Sequence, residues 1–144
     1  MADETDDVVE DEPDDVIETA LAAKTIAVVG CSATPGKAAH DVPAYLDEHG
    51  YEIVPENPFA EELFGRVAED TLADVAEPID VVCVFRPSAE VAGIVEEAVD
   101  RDDTPVVWTQ RGIRDDEAAA TAEAAGLPVV QDRCLMVEHR RLSG

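Results

Sequence analysis

Short apolar runs recur along the chain and alternate with longer stretches in which apolar residues repeat at helical spacing. The runs are rich in β-branched residues, and most are apolar on both faces, which is typical of strands buried in a parallel sheet. The predicted strands are Ile26–Val29, Tyr51–Val54, Val81–Phe85, Pro105–Trp108 and Val129–Val130. A further segment, Arg66–Ala68, fits either a short edge strand or an extended loop.

Helical segments are predicted between and after these strands. Apolar residues fall at helical spacing in Val42–His49 and in Val91–Val99, and further helices are predicted over Asp115–Ala125 and Cys134–Leu142. Strands that alternate with helices in this way indicate an α/β fold with a parallel sheet. Because crossovers between parallel strands are right-handed, few topologies remain. We therefore predict a Rossmann-like, three-layer αβα fold whose mostly parallel five-stranded sheet has the order 3-2-1-4-5.

Ligands of such sheets bind at the carboxyl ends of the strands, where the strand order reverses. Four loops are expected to converge there, formed by residues 30–37, 55–58, 85–88 and 109–112. The first loop is the most informative, because TIAVVGCSATPGKAAHDV reads as a strand, a glycine-bearing loop and a helix. Unpaired backbone N–H groups and a helix dipole would then point at one place, which suits an anion and above all a phosphate.

Acidic residues greatly outnumber basic ones. Asp and Glu number 34 against 10 Lys and Arg, which gives a formal net charge of −24. Such a surface repels nucleic acid and anionic membranes, so neither is expected as a partner. Residues 1–13 are predicted to be a disordered acidic tail, and residues 14–142 a single domain. Because acids continue beyond the tail and lysines are scarce, the composition favours a halophilic protein over one with merely an acidic tail.

The cysteines and the apolar runs predict a reducing, cytoplasmic location. Cys31, Cys83 and Cys134 are widely spaced, and no CxxC pair is present, so neither a disulfide framework nor a zinc site is expected. The first residues have no basic region of the kind that opens a signal peptide. The apolar runs are far shorter than the roughly 20 residues that span a bilayer. No metal ligand set and no catalytic residue is identified.

The glycine loop fits three known motifs only in part. The phosphate loop of NTPases needs GxxxxGK and then Ser or Thr, but here the glycines are one residue too far apart and alanine follows the lysine. The dinucleotide motif GxGxxG needs a glycine where Ser32 stands. Glu56, near the end of the second strand, could still bind the ribose of a dinucleotide, so NAD remains an alternative ligand. The serine-hydrolase motif GxSxG fails because Thr34 replaces its last glycine.

Several blocks of the chain together resemble the small stand-alone CoA-binding domain proteins, relatives of the CoA-binding domain in the alpha subunit of succinyl-CoA synthetase. The similar blocks are VVGCSATPGK, VPAYLDEHGYEIVPENP, VVCVFRPSAEV, VVWTQRGI and VVQDRC. The resemblance spans about residues 20–142 and rests on the combination, since any one block alone is weak. It implies a Rossmann-like fold that holds coenzyme A across the switch point of the sheet.

The resemblance also implies which residues contact the coenzyme. Gly30 and Ser32 would shape the loop around the pyrophosphate, and Lys37 would supply the opposing charge. Asn57 and Pro58 would lie beside the adenosine. The other candidates at the mouth of the site are Cys31, Pro35, Gly36, Phe85, Arg86, Trp108, Gln110 and Gly112. Several have structural alternatives: Trp108 could belong to the core, and Cys31 could be a small buried hydrophobe.

Two residues depart from the family pattern. Ala39 stands where a serine is common, which removes one hydroxyl that could bind phosphate. Glu56 stands where an apolar residue is usual. A carboxylate close to the 3′-phosphate of coenzyme A would repel it, so either Glu56 points away or the affinity for coenzyme A falls.

The expected function is binding of coenzyme A or an acyl-CoA through the strand–loop–helix phosphate site. Acyl-CoA synthesis by this chain is not expected, because none of its three histidines lies in the context of a phosphorylatable histidine and no second domain is recognisable. The chain is therefore interpreted as a binding module rather than an enzyme. The alternative is an NAD(P)-binding oxidoreductase or redox sensor, and a homodimer or a protein partner stays open.

Overall fold

The β-branched runs of the sequence form the strands of a parallel sheet. A computed structural model describes residues 15–58 and 62–143. The strands are β1 Thr25–Val29, β2 Glu52–Glu56, β3 Glu62–Leu63, β4 Arg66–Val67, β5 Val81–Val84, β6 Val106–Thr109 and β7 Val129–Val130. Every residue of β1, β5 and β6 is buried, as expected for strands covered by helices on both faces.

Helices connect the strands. They are α1 at residues 15–21, α2 Ala38–Glu48, α3 Val91–Val99, α4 Asp116–Ala124 and α5 Leu135–Ser143. Short 3-10 turns at Leu72–Asp74 and Ser88–Glu90 precede β5 and α3. The start of α4 has a clear local cause, because the Asp115 carboxylate accepts the Ala118 amide at 3.0 Å and so caps the helix.

Five strands form one parallel sheet in the order β2-β1-β5-β6-β7. The predicted α/β, Rossmann-like class is confirmed, but the strand order differs from 3-2-1-4-5. The third of the five predicted strands, Val81–Phe85, corresponds to β5, which pairs with β1 in the middle of the sheet rather than with β2 at its edge. No described strand lies beyond β2, and Arg66–Val67 pairs antiparallel with Glu62–Leu63 in a separate hairpin. The hairpin region meets the sheet through a bridge between Glu56 and Glu69. At the other edge, Val129–Val130 pairs with β6.

Each face of the sheet has its own apolar core, because successive strand residues point to opposite faces. One core joins α1, α2 and α5 to the sheet through Ile17, Leu46 and Leu135. The other joins α3 to the sheet through Ile94 and α4 through Ala122. Full burial of an aliphatic side chain such as leucine contributes roughly 1.5–3 kcal/mol, so both helical layers are firmly attached.

The predicted acidic tail, residues 1–13, lies outside the described residues. Within the described ranges, no helix combines the length and the apolar character that crossing a membrane requires. All three cysteines are buried and unbridged. Burial raises the pKa of the Cys83 thiol above its ordinary value, and its neighbours Cys134 and Cys31 act in the same direction.

Arg101 ties the segment before β5 to the end of α3. Its Nη1 donates to the carbonyls of Leu72 and Val75 at 3.2 and 3.0 Å. Its Nη2 donates to the carbonyl of Glu77 at 2.9 Å and forms an ion pair of 2.8 Å with Asp103. Because the side chain is only 12% exposed, these acceptors would lose their donor in a shielded environment if it were removed.

Replacement of Arg101 by alanine should lower the free energy of unfolding by about 2–4 kcal/mol, because shielded carbonyls and a carboxylate lose their donor. The matched control is Arg114→Ala. The side chains of Arg114 and its partner Asp116 are 58% and 74% exposed, so that pair should contribute less than about 1 kcal/mol. Urea denaturation of both variants at one salt concentration measures the difference. Equal losses would contradict the role assigned to Arg101.

Candidate functional site

The chain changes direction across the sheet between β1 and β5, which are neighbouring strands. From β1 the chain crosses to β2 through α2 on one face, whereas from β5 it crosses to β6 through α3 on the opposite face. The loops after these two strands therefore separate and leave a crevice outside their carboxyl ends. Open α/β sheets bind their ligands at such a switch point.

Gly30 ends β1 in a conformation that favours glycine. Its φ is +86°, in the left-handed region. The side chain of Arg86, from the loop after β5, packs against it. A Cβ on Gly30 would lie 2.8 Å from Cδ of Arg86 and 3.4 Å from the carbonyl carbon of Phe85. The missing side chain at position 30 thus allows the β5 loop to pack onto the end of β1.

Most amides of the first loop donate hydrogen bonds within the protein, which corrects the expectation that they are unpaired. The amides of Gly30 and Cys31 donate to the Glu56 carbonyl at 3.0 and 3.2 Å. The Ser32 amide donates to the Ala39 carbonyl at 3.0 Å. Three further donors are paired locally: Thr34 N with the Ser32 hydroxyl, Gly36 N with the Asp41 carboxylate and Lys37 N with the Thr34 carbonyl.

Pro43 explains why the Ala39 carbonyl is available to the loop. In a regular helix this carbonyl would accept the amide four residues later, but Pro43 has no N–H. The Ser32 amide takes its place. The proline inside α2 therefore helps to close the loop after β1 onto the first turn of the helix.

The N-terminus of α2 keeps free donors. Lys37 is its N-cap, with an extended backbone, and no side chain caps the helix. Among the described residues, the amides of Ala38 and Ala39 donate no hydrogen bond, and no carboxylate pairs with Lys37. A helix N-terminus carries roughly half a positive charge. The exposed Lys37 adds a full charge, so this end of α2 is suited to an anion.

Asn57 fastens the loop after β2 to the loop after β1. Its Nδ2 donates to the Cys31 carbonyl at 2.8 Å, and its backbone amide donates to the Glu69 carbonyl at 2.9 Å. Pro58 follows and lines a groove beside the switch point. The Asn57 side chain therefore holds together two of the loops that border the crevice.

A groove of about 400 Å³ opens on the α3 side of the crevice. Its lining consists of Val29, Glu56, Pro58, Arg86, Ala89, Glu90, Gly93, Ile94 and Glu97. Arg86 is held there by Glu90, because its Nε and Nη2 donate to the carboxylate at 3.0 and 3.2 Å. The two side chains are 38% and 45% exposed. Since exposed pairs contribute little, a ligand anion can compete with Glu90 for the guanidinium.

Glu56 points into this groove. Its Oε1 accepts the Gly30 amide at 3.3 Å. Burial raises the pKa of Glu56, and the nearby carboxylates of Glu97 and Asp70 add to that rise, whereas the hydrogen bond from Gly30 and the charge of Arg86 oppose it. The Glu56 carboxylate therefore lies in the lining of the groove, with one oxygen bonded to the end of β1.

The candidates from β6 and its loop lie mostly in the interior. Trp108 is fully buried, and its Nε1 donates to the Arg133 carbonyl at 2.8 Å. Gln110 is 4% exposed, and its Oε1 accepts the Leu135 amide at 3.0 Å. Both side chains are thus engaged in holding the chain that leads into α5. Gly112 is exposed, with φ at +87°.

The remaining candidates of the first and third loops differ in exposure. Cys31 is 1% exposed, and burial raises its pKa to about 12, against a smaller opposing effect of the Ser32 amide. Cysteines react as thiolates, and the raised pKa keeps this group in its thiol form. Cys31 therefore behaves as a small buried apolar side chain. Pro35 and Gly36 lie at the exposed tip of their loop. Phe85 is half-buried and packs against the core beside α2.

Sequence reasoning missed the wall of the groove that the Ser88–Glu90 turn and α3 contribute, namely Ala89, Glu90, Gly93, Ile94 and Glu97. A weak signal was present. Gly93 interrupts a predicted helix, where glycine costs about 1 kcal/mol relative to alanine. A Cβ there would meet no described atom within 4 Å, so packing within the chain does not require the glycine. A glycine whose missing side chain leaves open space can mark a surface reserved for a ligand.

Comparison with known proteins gives a consistent result. The chain matches the CoA binding domain family over residues 24–140. It is 39% identical to uncharacterized protein YneT of Bacillus subtilis over 117 residues, which are 81% of this chain and 86% of YneT. The solved structure of cell-free ID.343 from Thermus thermophilus is 44% identical with a TM-score of 0.83, and the match covers 90% of this chain and 98% of that one.

A larger relative is similar over a small part of its length. The ADP-forming acetate–CoA ligase of Methanocaldococcus jannaschii is 31% identical to this chain over 74 residues. These residues are 51% of this chain and 10% of the ligase. The similarity to the ligase therefore concerns one segment of that enzyme.

The substitution Gly30→Ala should lower the free energy of unfolding by about 2–3 kcal/mol, because it combines an unfavourable φ with a clash against Arg86. Gly36→Ala is the matched control. Its φ of +96° imposes a similar backbone penalty, but a Cβ there would meet nothing within 4 Å, so about 1 kcal/mol is expected. Thermal and urea unfolding of both variants measure the two losses. If they are equal, Arg86 does not pack over Gly30 in solution.

Proposed function

This chain belongs to the CoA binding domain family, and from that premise we propose that it binds coenzyme A or an acyl-CoA in the crevice between β1 and β5. The observation that carries the proposal is the meeting of three loops at the switch point. Arg86 packs over Gly30, and Asn57 bonds the Cys31 carbonyl. All of these residues lie inside the segment that matches the family.

The pyrophosphate of the coenzyme is placed at the N-terminus of α2. The amides of Ala38 and Ala39 are the donors, and Lys37 supplies the full positive charge. Charge-assisted hydrogen bonds of this kind are about twice as strong as neutral ones. The glycines at positions 30 and 36 then act through the shape of the loop, since their amides are already bonded within the protein.

The rest of the ligand follows from this placement. The adenosine lies at the end of β2, beside Asn57 and Pro58, and the pantetheine arm leaves past Phe85 and Arg86. Arg86 exchanges its partner Glu90 for a ligand oxygen when the site is filled. Trp108 and Gln110 support the site from behind, through the packing of α5, rather than by contact with the ligand.

Binding without acyl-CoA synthesis is part of the proposal. The thiol closest to the crevice, Cys31, is buried and has a raised pKa. His49 and His139 lie together at the far end of α2, with ring centroids 5.2 Å apart. His40, near the loop, bonds its neighbour Asp41 at 3.2 Å. No observation on the described residues favours an NAD(P)-dependent redox reaction. NAD and NADP are therefore tested as competing ligands in the titration.

Isothermal titration with coenzyme A should show one site per chain, and Lys37→Ala should weaken binding by about 1–3 kcal/mol, the scale of a lost charged hydrogen bond. Lys24→Ala is a matched control. Lys24 and Lys37 are the two lysines of the chain, and Lys24 precedes β1, at the opposite end of the strand. Both variants change the net charge equally, so only a contact in the site separates them.

The outcomes of this titration discriminate the alternatives. Equal effects of the two lysine variants would remove Lys37 from the site. Binding of NAD or NADP in place of coenzyme A would overturn the proposed function. As an independent readout, coenzyme A at 100 times its dissociation constant should stabilise the wild type by ~2.7 kcal/mol in a thermal melt.

The halophilic character is a further proposal, carried by the net charge of −24. Raising KCl from about 0.1 M to about 1 M shortens the Debye length from ~10 Å to ~3 Å and screens the repulsion among exposed acids. The melting temperature of the wild type should therefore rise over this range. A variant with Asp47→Asn, Glu48→Gln, Glu117→Gln and Glu123→Gln should gain less. A melting temperature that does not depend on salt would contradict the proposal.

A further inference from the structure

The groove beside the switch point carries more negative than positive charge. Glu56, Glu90 and Glu97 line it against one guanidinium, that of Arg86. Glu90 already holds that guanidinium in an ion pair. The two other carboxylates, Glu56 and Glu97, form no ion pair with a described cation, although Arg86 attracts Glu56 at longer range and Glu97 accepts the Ala73 amide at 3.1 Å. A phosphate group placed here would meet repulsion, whereas hydroxyl donors would meet acceptors.

The residues around and after the end of β2 do not offset this excess of negative charge. Residues 55–65 contain three acids and no lysine or arginine. The next base, Arg66, is engaged elsewhere, because it pairs with Glu77 and lies 3.8 Å from Glu52. A ligand group at the carboxyl end of β2 is thus left with acidic neighbours along the chain.

Glu56 is the acid best placed to meet the ligand. It ends β2 beside the switch point, and one of its oxygens, Oε1, accepts the amide of Gly30, 26 residues earlier. The second oxygen, Oε2, accepts no hydrogen bond from the described residues. In dinucleotide-binding α/β folds, an acid about 20 residues beyond the glycine loop bonds a ribose hydroxyl. Glu56 stands at the corresponding strand end.

We propose that Glu56 makes this site select a CoA-type ligand whose adenosine ribose has free 2′- and 3′-hydroxyls, that is dephospho-CoA, over coenzyme A itself. The free diol donates to the carboxylate, whereas the 3′-phosphate brings a second anion against it. The inference rests on the proposed function, because it needs the adenosine at the end of β2. It goes further by stating which form of the ligand binds more tightly.

The test compares dephospho-CoA with coenzyme A by isothermal titration at about pH 8, where a phosphate monoester is fully ionised. The wild type should bind dephospho-CoA at least about tenfold more tightly, and Glu56→Gln should bring the two affinities within about threefold, mainly by a gain for coenzyme A. Glutamine keeps the size of the side chain and a carbonyl acceptor for the Gly30 amide, while it removes the charge and replaces the second oxygen by an N–H donor.

Glu96→Gln is the matched control. Glu96 is exposed on α3 next to Glu97 and does not line the groove, yet its substitution changes the net charge equally. It should leave the preference for dephospho-CoA unchanged. The same change of preference in both variants would assign the effect to net charge and overturn the role of Glu56.

Titrations with dephospho-CoA, coenzyme A and NAD distinguish a wrong ligand preference from a wrong proposed function. Equal affinity of the wild type for the two CoA forms, or tighter binding of coenzyme A, overturns the selectivity and leaves the proposed function standing. NAD, which also has a free diol beside its adenine, is the third titrant. Binding of NAD without either CoA form, or binding of none of the three, overturns the proposed function itself.

Discussion

The close packing of the β5 loop on Gly30 is the contact on which the crevice depends. β1 and β5 are neighbours in the sheet, yet their crossovers run to opposite faces, so the loops separate immediately after the strands end. Arg86 can cross the end of β1 because position 30 has no side chain. Asn57 then joins the loop after β2 to the same place through the Cys31 carbonyl. Three loops are thus fixed around one opening by backbone geometry and a single amide side chain.

The electrostatics divide this opening into two parts. On the α2 side, Lys37 and the free amides of the first helical turn offer positive potential within a protein of net charge −24. On the α3 side, carboxylates dominate, with Glu56 half-buried between them and the end of β1. A ligand with a pyrophosphate at one end of its binding path and hydroxyl groups at the other would match both parts, because anions and hydrogen-bond donors need opposite environments.

The coverage of the relatives indicates which part of each protein is shared with this chain. The match covers most of YneT and nearly all of the Thermus thermophilus protein, but a tenth of the acetate–CoA ligase. The common element is therefore the domain and its switch point.

The sequence by itself determined the α/β class, the positions of the central strands and the loop after β1, because burial periodicity and glycine are local signals. It could not determine the order of the strands, since β5 pairs with β1 in the middle of the sheet and Arg66–Val67, which fitted either an edge strand or a loop, pairs with Glu62–Leu63. It also could not show that the loop amides are bonded internally, that Trp108 is buried, or that α3 forms a wall of the groove. Those features depend on contacts between segments far apart in the chain, and only the tertiary structure decides which of the competing contacts form.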